Sequence, residues 1–240
     1  MNVFFTMQGK GGIGNTYVSY LLAQYLAENK EKPLCIDTDQ VTHSLASYKA
    51  LNVKVVDLFE NNRIKARKFD KIIDLIMESE TDCIIDVGSS NFTETTAYLL
   101  ENEIFKYLHE NDLQTYINMS LVGGKETDDT LKVMAYVFQH YSEYTKSFIW
   151  VNPHFAPIDL GGKTITNVGV YKNNIETIQG VIHLPEKSET EEEDILELTK
   201  SNLTFDEYIN NSSVGRMPAQ RAKNIKRKTW DAITIALQGI

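Results

Sequence analysis

Apolar residues along the chain alternate between two rhythms. Short, nearly uninterrupted runs of strand length stand at 2–7 (NVFFTM), 33–37 (PLCID), 82–86 (DCIID), 114–122 (QTYINMSLV), 147–152 (SFIWVN) and 180–184 (GVIHL). Between them lie longer stretches with apolar positions three or four apart: Val18, Leu21, Leu22, Tyr25 and Leu26 after the first run, then 67–79, 94–109 and 127–141. Runs that are apolar throughout suit strands covered on both faces, and helix-length crossovers between them make the pairing parallel. The pattern predicts an α/β fold, a mostly parallel twisted sheet with helices on both faces.

The later chain is less regular. GGKTITNVGVYK at 161–172 combines a Gly-Gly turn with alternating β-branched residues, which predicts a small hairpin or an excursion before the last strand. Beyond Pro185, Ser188 is expected to cap a helix whose first turns carry Glu189, Glu191, Glu192, Glu193 and Asp194, read as a solvated acidic helix start. A final helix is expected over 217–237.

Composition narrows the classes. With 240 residues, 42% hydrophobic and 24% charged, the chain is an ordinary globular protein, not a disordered, collagen-like or coiled-coil one. No run approaches the roughly 18 uninterrupted apolar residues of a membrane span, and the N-terminus lacks the features of a secretory signal, so a cytoplasmic location is expected. The net charge of −9 excludes a global basic field for nucleic acid, so any such contact must be local. Cys35 and Cys83 lie in apolar runs and read as reduced core thiols, and the five histidines lack zinc-site spacing.

The most informative segment is Gly9-Lys10-Gly11-Gly12-Ile13-Gly14-Asn15-Thr16, between the first strand and a helix expected from near 15. Glycines there let main-chain amides turn inward around anionic oxygens, and the helix that follows adds its positive end. Gly9 and Gly14 have the spacing of the phosphate-loop pattern, and Thr16 stands where a hydroxyl would reach Mg²⁺. Where that pattern demands Lys, the chain has Asn15. Asp37 and Asp39 end the second run and Asp86 ends the third, so an open parallel sheet would bring all three carboxylates to the same crevice as the loop. One of them could join the Mg²⁺ shell and another orient water for attack on a terminal phosphate.

These residues carry a resemblance. Lys10-Gly11-Gly12, followed by Gly14 and Thr16, resembles the deviant Walker A loop of the ParA/MinD group of P-loop NTPases, and Asp37-Thr38-Asp39-Gln40 is similar to that group's second acidic motif. More narrowly, LLAQYL (21–26), CIDTDQVTHSLASYKAL (35–51), IIDVGSSNF (84–92), AYLLEN (97–102) and VYKNN (170–174) resemble TraL-type conjugal transfer proteins of plasmids, over nearly the whole chain.

The resemblance implies a nucleotide-dependent homodimer that binds ATP and Mg²⁺ and works with conjugation machinery proteins. Residues Gly9 to Thr16, with Tyr17 after them, would bind the nucleotide. Lys10 would cross to the partner's nucleotide, Thr16 would coordinate Mg²⁺, and Asp39 would position the attacking water. Asp37 and Asp86 match acids near the metal and switch region, Asn152 an amide that reads adenine, and Pro185 a proline flanking the base. Residues 1–200 would form the nucleotide-binding domain and 201–240 a helical extension packed on it.

Asn15 departs from the family pattern. A neutral amide donates a hydrogen bond but cannot offset charge developing on phosphate, so binding is expected to survive better than hydrolysis. Two rival readings follow, a non-catalytic scaffold that keeps the fold, and a small-molecule kinase or ligase, for which no acceptor pocket is identifiable in 88–130. Arg216, Arg221, Lys223, Lys226, Arg227 and Lys228 occur with no acid among them, a local basic patch that reads first as a solvated face, in part neutralised by the acidic run at 186–197, and second as a contact for DNA phosphates, anionic lipid or an acidic partner. Ile225, Trp230, Ile233 and Leu237 are expected to dock that helix onto the body.

Overall fold

Each continuous apolar run becomes a strand in the computed structural model, which describes residues 1–39, 42–60, 63–154 and 156–239. Gln40, the last residue of the acidic motif, lies outside the described residues. The strands are β1 (Asn2–Thr6), β2 (Leu34–Asp37), β3 (Lys54–Val55), β4 (Phe59–Glu60), β5 (Arg63–Ile64), β6 (Cys83–Asp86), β7 (Gln114–Val122), β8 (Thr145–Asn152) and β9 (Ile178–His183). Among the described residues a seven-stranded sheet runs in the order β3-β2-β6-β1-β7-β8-β9, and its pairings are parallel. The helices are α1 (Asn15–Asn29), α2 (Ala66–Met77), α3 (Phe92–Glu101), α4 (Ile104–Glu110), α5 (Thr127–Tyr141), α6 (Gly169–Lys172), α7 (Glu189–Lys200), α8 (Phe205–Ile209) and α9 (Arg216–Ala236).

Side chains alternate across the sheet and feed two cores. Val3 and Phe5 point to the layer formed with α2 to α5, through Phe69, Leu99, Phe105 and Phe138. Phe4 and Trp150 point to the other layer, with α1, α7, α8 and α9. Trp150 is wholly buried, and its indole N–H donates to Asn118 Oδ1 at 2.9 Å, which satisfies its one polar atom.

The C-terminal residues explain why α1 is buried almost all round rather than along one stripe. Tyr20 donates its hydroxyl to the Leu203 carbonyl, Gln24 Oε1 accepts from the Phe205 amide, and Tyr25 bonds the Thr234 hydroxyl. Phe205, Ile225 and Ile233 are buried in the same core layer, the last with no exposed surface, and Leu237 is buried beside them. The docking expected of α9 is therefore present.

Three details depart from the sequence reading. The stretch at 94–109 is two helices, because Glu103 takes a left-handed backbone conformation (φ 48) between α3 and α4. Residues 161–172 form no hairpin: after the Gly-Gly turn the chain makes a single-turn helix at Ile165–Asn167 and then α6, so the segment is the excursion alternative. The β-branched residues there find no partner strand to pair with. The strands β3, β4 and β5 are two residues each, below the length at which periodicity registers.

Strand order reverses about β1, which has β6 on one side and β7 on the other. In such sheets ligands bind beyond the strand C-termini at the reversal. Register places Asp86 beside both Thr6 and Asp37 at that edge.

If the C-terminal helix is part of the core, Ile233→Ala should lower stability by about 2 to 5 kcal/mol, the usual cost of a large-to-small change at a buried site. A urea midpoint unchanged from the parent chain would contradict the packing described.

Candidate functional site

The loop between β1 and α1 holds its shape through backbone conformations that L side chains resist. Gly12 (φ 77) and Gly14 (φ 96) are left-handed, and a Cβ on Gly14 would also stand 3.0 Å from Asn152 Nδ2. Gly14 is the N-cap of α1 and offers no side-chain acceptor to the first turn. No main-chain amide from Gly9 to Tyr17 donates a hydrogen bond of standard geometry to another described residue. A helix always leaves its first amides unpaired, but here the row continues backward through the glycine turn. Ile13 is buried and pins the loop to the body, while Gly9, Gly11 and Gly12 are exposed. A left-handed glycine turn that runs into an uncapped helix start is the chemistry of an anion site.

Beneath the loop, Asp86 is the hub. It is buried at the end of β6, and its two oxygens accept from the Thr16 and Ser19 hydroxyls, each at 2.8 Å. Ser19 lies one helical turn beyond Thr16 and also bonds the Thr6 hydroxyl at 2.9 Å. That spacing was the available sign of its role, and the sequence reading passed over it. Burial raises the Asp86 pKa to about 7, with the neighbouring Asp37 and Asp39 charges adding to the rise and the two hydroxyls opposing it.

The other two acids differ from Asp86 and from each other. Asp37 is fully buried and accepts the Asp39 amide at 2.8 Å and the Ala46 amide at 3.0 Å, so its carboxylate folds the loop that carries Asp39. Burial raises its pKa, and those two amides pull the other way. Asp39 is half-buried and takes the Thr42 hydroxyl at 2.5 Å.

The cations near the loop are turned elsewhere. Lys10 pairs with Glu126 at 3.6 Å and Asp129 at 3.5 Å, at the start of α5. Asn15 Oδ1 accepts the Ser120 hydroxyl at 3.4 Å, which ties the helix start to the end of β7.

A cavity of about 570 Å³ opens from the loop, within the usual range of small-ligand sites. Gly14, Thr16 and Tyr17 form one wall with Asn152, and Ile195 and Thr199 of α7 form the opposite one. Asn152 Oδ1 accepts the His154 amide at 3.2 Å, leaving Nδ2 toward Gly14. Pro185 is half-buried after β9 and does not line the cavity, whereas Lys187, two positions on, does. Lys187 and the α7 wall went unread in the sequence, since neither belongs to a recognisable motif.

The site suits a magnesium nucleotide. Among the described residues no group of three or more His, Cys, Asp or Glu is arranged to hold a metal by itself. Magnesium does not require one: it is held by one or two protein oxygens, water and the substrate's phosphates. Thr16 Oγ1 and Asp86, 2.8 Å apart beside the glycine turn, are oxygens that could take that part.

The raised Asp86 pKa predicts a pH signature. The folded pKa, about 7, lies above the model-peptide value of 3.8, so the native state binds the extra proton between these values. The Asp86 contribution is therefore most favourable on the acid side and is lost as pH rises through about 7. Asp86→Asn removes this dependence, so its Tm relative to the parent chain should improve as pH goes from about 5 to about 8. A Tm difference that stays constant over that range would show that Asp86 does not titrate there.

Comparison with known proteins agrees with this geometry. No protein-family model matches the chain. It is 31% identical over 235 residues to a protein TraL of Escherichia coli, spanning 98% of both chains. A second Escherichia coli protein TraL is 32% identical over 229 residues, 95% of each. Among solved structures, the MinC:MinD cell division protein complex of Aquifex aeolicus matches with a TM-score of 0.53 at 14% identity, over 95% of each chain. A ParA family ATPase from Chlorobium tepidum TLS matches with a TM-score of 0.50 at 15% identity, over 94% of this chain and 96% of that one. The structural likeness establishes the fold, a P-loop NTPase architecture of the MinD/ParA kind, and the near full-length sequence identity places this chain in the TraL family.

Proposed function

We propose that the chain binds ATP with Mg²⁺ at the loop 9–17 and serves a plasmid conjugal transfer system as a nucleotide-dependent dimer switch whose hydrolysis is weakened or lost. The observation that carries this reading is the glycine turn from Gly9 to Gly14 leading into the uncapped start of α1, with Thr16 of its first turn bonded to the buried Asp86. Fold and family membership support it.

In this reading Gly9 to Gly14 and the first turn of α1 bind the phosphates. Thr16 and Asp86 hold Mg²⁺, with Asp37 shaping the loop beside them. Bound Mg²⁺ would neutralise phosphate charge. Asp39 orients the attacking water, Lys10 leaves Glu126 and Asp129 to reach the partner protomer's nucleotide, and Asn152 bounds the base, a part that Pro185, outside the cavity lining, does not share. Residues 1–200 carry this site and 201–240 form the helical extension on it. The partners are a second copy and proteins of the transfer machinery. No helix among the described residues is long and apolar enough to cross a membrane, which accords with a cytoplasmic role.

Asn15 sets the expected rate. By analogy with other phosphoryl-transfer cations, a missing positive charge costs about 10³- to 10⁵-fold in turnover. Asn15→Lys should therefore raise ATP turnover at least about tenfold. Equal rates would mean that the charge is supplied elsewhere or that hydrolysis is no longer accessible. Calorimetric titration with ATP and Mg²⁺ separates the switch from a non-catalytic scaffold: absence of heat up to millimolar ligand favours the scaffold.

DNA contact through Arg216 to Lys228 is a narrower proposal. Arg221 makes a two-bonded pair with Asp194 of the acidic run, and Lys226 is held by Glu28 and Asp206. Arg216, Lys223, Arg227 and Lys228 remain exposed along α9. Gel retardation at low salt that fades as salt rises is the expected result, and no retardation at low salt removes DNA from the reading.

A further inference from the structure

A polyphosphate brings several negative charges to a site whose usual cation is missing, so some other group must answer them. Asn15 is neutral and is tied to Ser120. Lys10 is turned outward to Glu126 and Asp129. Among the described residues that line the cavity together with Gly14 and Thr16, Lys187 is the one lysine or arginine.

We infer that Lys187 supplies, from within the same protomer, the positive charge to a bound polyphosphate that Asn15 does not. This rests on the nucleotide-binding reading above and adds to it the residue that discriminates a triphosphate from a bare nucleoside.

Lys187 is placed for such a role. It follows β9 beyond Pro185, is half-buried, and shares the cavity wall with α7. No carboxylate among the described residues comes within ion-pairing distance of its ammonium. Glu192, the acid lining the same cavity, is engaged at 3.3 Å by His154. Burial depresses the Lys187 pKa, and Glu192 and Glu191 offset this only in part, so its charged form is under-solvated. An anion beside it would restore that solvation, and a flexible four-carbon stem lets the ammonium follow the phosphates without moving the backbone.

The test is calorimetric titration of the full chain with ATP plus Mg²⁺ and, separately, with adenosine, for the parent chain, Lys187→Met, Lys187→Arg and Asn15→Lys with and without Lys187→Met. Lys187→Met should weaken ATP binding about tenfold or more, the scale of a lost charged hydrogen bond, and leave adenosine within about twofold. Lys187→Arg should keep most of the ATP affinity, which separates loss of charge from loss of fold. In the Asn15→Lys chain the same Lys187→Met change should cost less than about threefold, because the two cations serve one ligand. Equal losses for ATP and adenosine would overturn the inference, since Lys187 would then act on the base or on the fold. No loss for either ligand would overturn it as well. Failure of the parent chain to bind ATP at all would instead bring down the nucleotide-binding reading, and the inference with it.

Discussion

The glycine turn that runs into the uncapped start of α1 constrains everything around residues 9–17. A buried or half-buried N–H that finds no partner is costly, so a fold keeps a row of them only where water or a ligand can reach. That condition dictates the neighbourhood: glycines that can turn left-handed, a helix start with no capping side chain, and a sheet edge where β1 stops short. The acids follow from the same constraint, because they stand behind the donors at the ends of β2 and β6, where a cation could sit between them and bound phosphate. The rest of the molecule holds these two rows at a fixed separation.

Much of that holding is done by the C-terminal quarter of the chain. The covering of α1 by Leu203, Phe205, Thr234 and their neighbours leaves the helix little freedom to rotate, and its first turn is the floor of the loop. Arg221 and Asp194 join α9 to α7, whose other side forms the cavity wall. The basic patch thus has two populations: inward-facing cations that fasten helices, and outward-facing ones at Arg216, Lys223, Arg227 and Lys228. A count of charges along the sequence cannot separate them.

The inner sheet was legible in the sequence because β1, β2, β6, β7 and β8 are largely buried on both faces and therefore mostly apolar. The observed bounds lie within two residues of the runs read from sequence, as for β7 at Gln114–Val122. The break escaped because the left-handed residue of the Asn102–Glu103 turn is the glutamate, a residue type that does not mark such a conformation. Of the two readings open for the segment after Gly161 the excursion is the one that holds, because alternation marks a strand only where a partner strand exists. At the site, the loop, Thr16, Asp37, Asp39 and Asp86 were readable from spacing and strand ends. Lys187 was not, since its place in the cavity depends on how β9 and α7 come together. Asn15 was conspicuous as a departure, but its bond to Ser120 is visible only in three dimensions.

The choice of hydroxyls around Asp86 has a consequence of its own. A lysine in place of Thr16 could only donate to the carboxylate, and an amide would have to turn over to present its oxygen, whereas a single hydroxyl oxygen both gives a proton and carries lone pairs. Rotating one C–O bond converts the Thr16 oxygen from a donor into an electron-pair ligand, with Ser19 still holding the carboxylate in place. A cation beside Asp86 would thus ask of Thr16 only the torsion of a single bond, with no demand on the helix, strand or turn that carry the two residues.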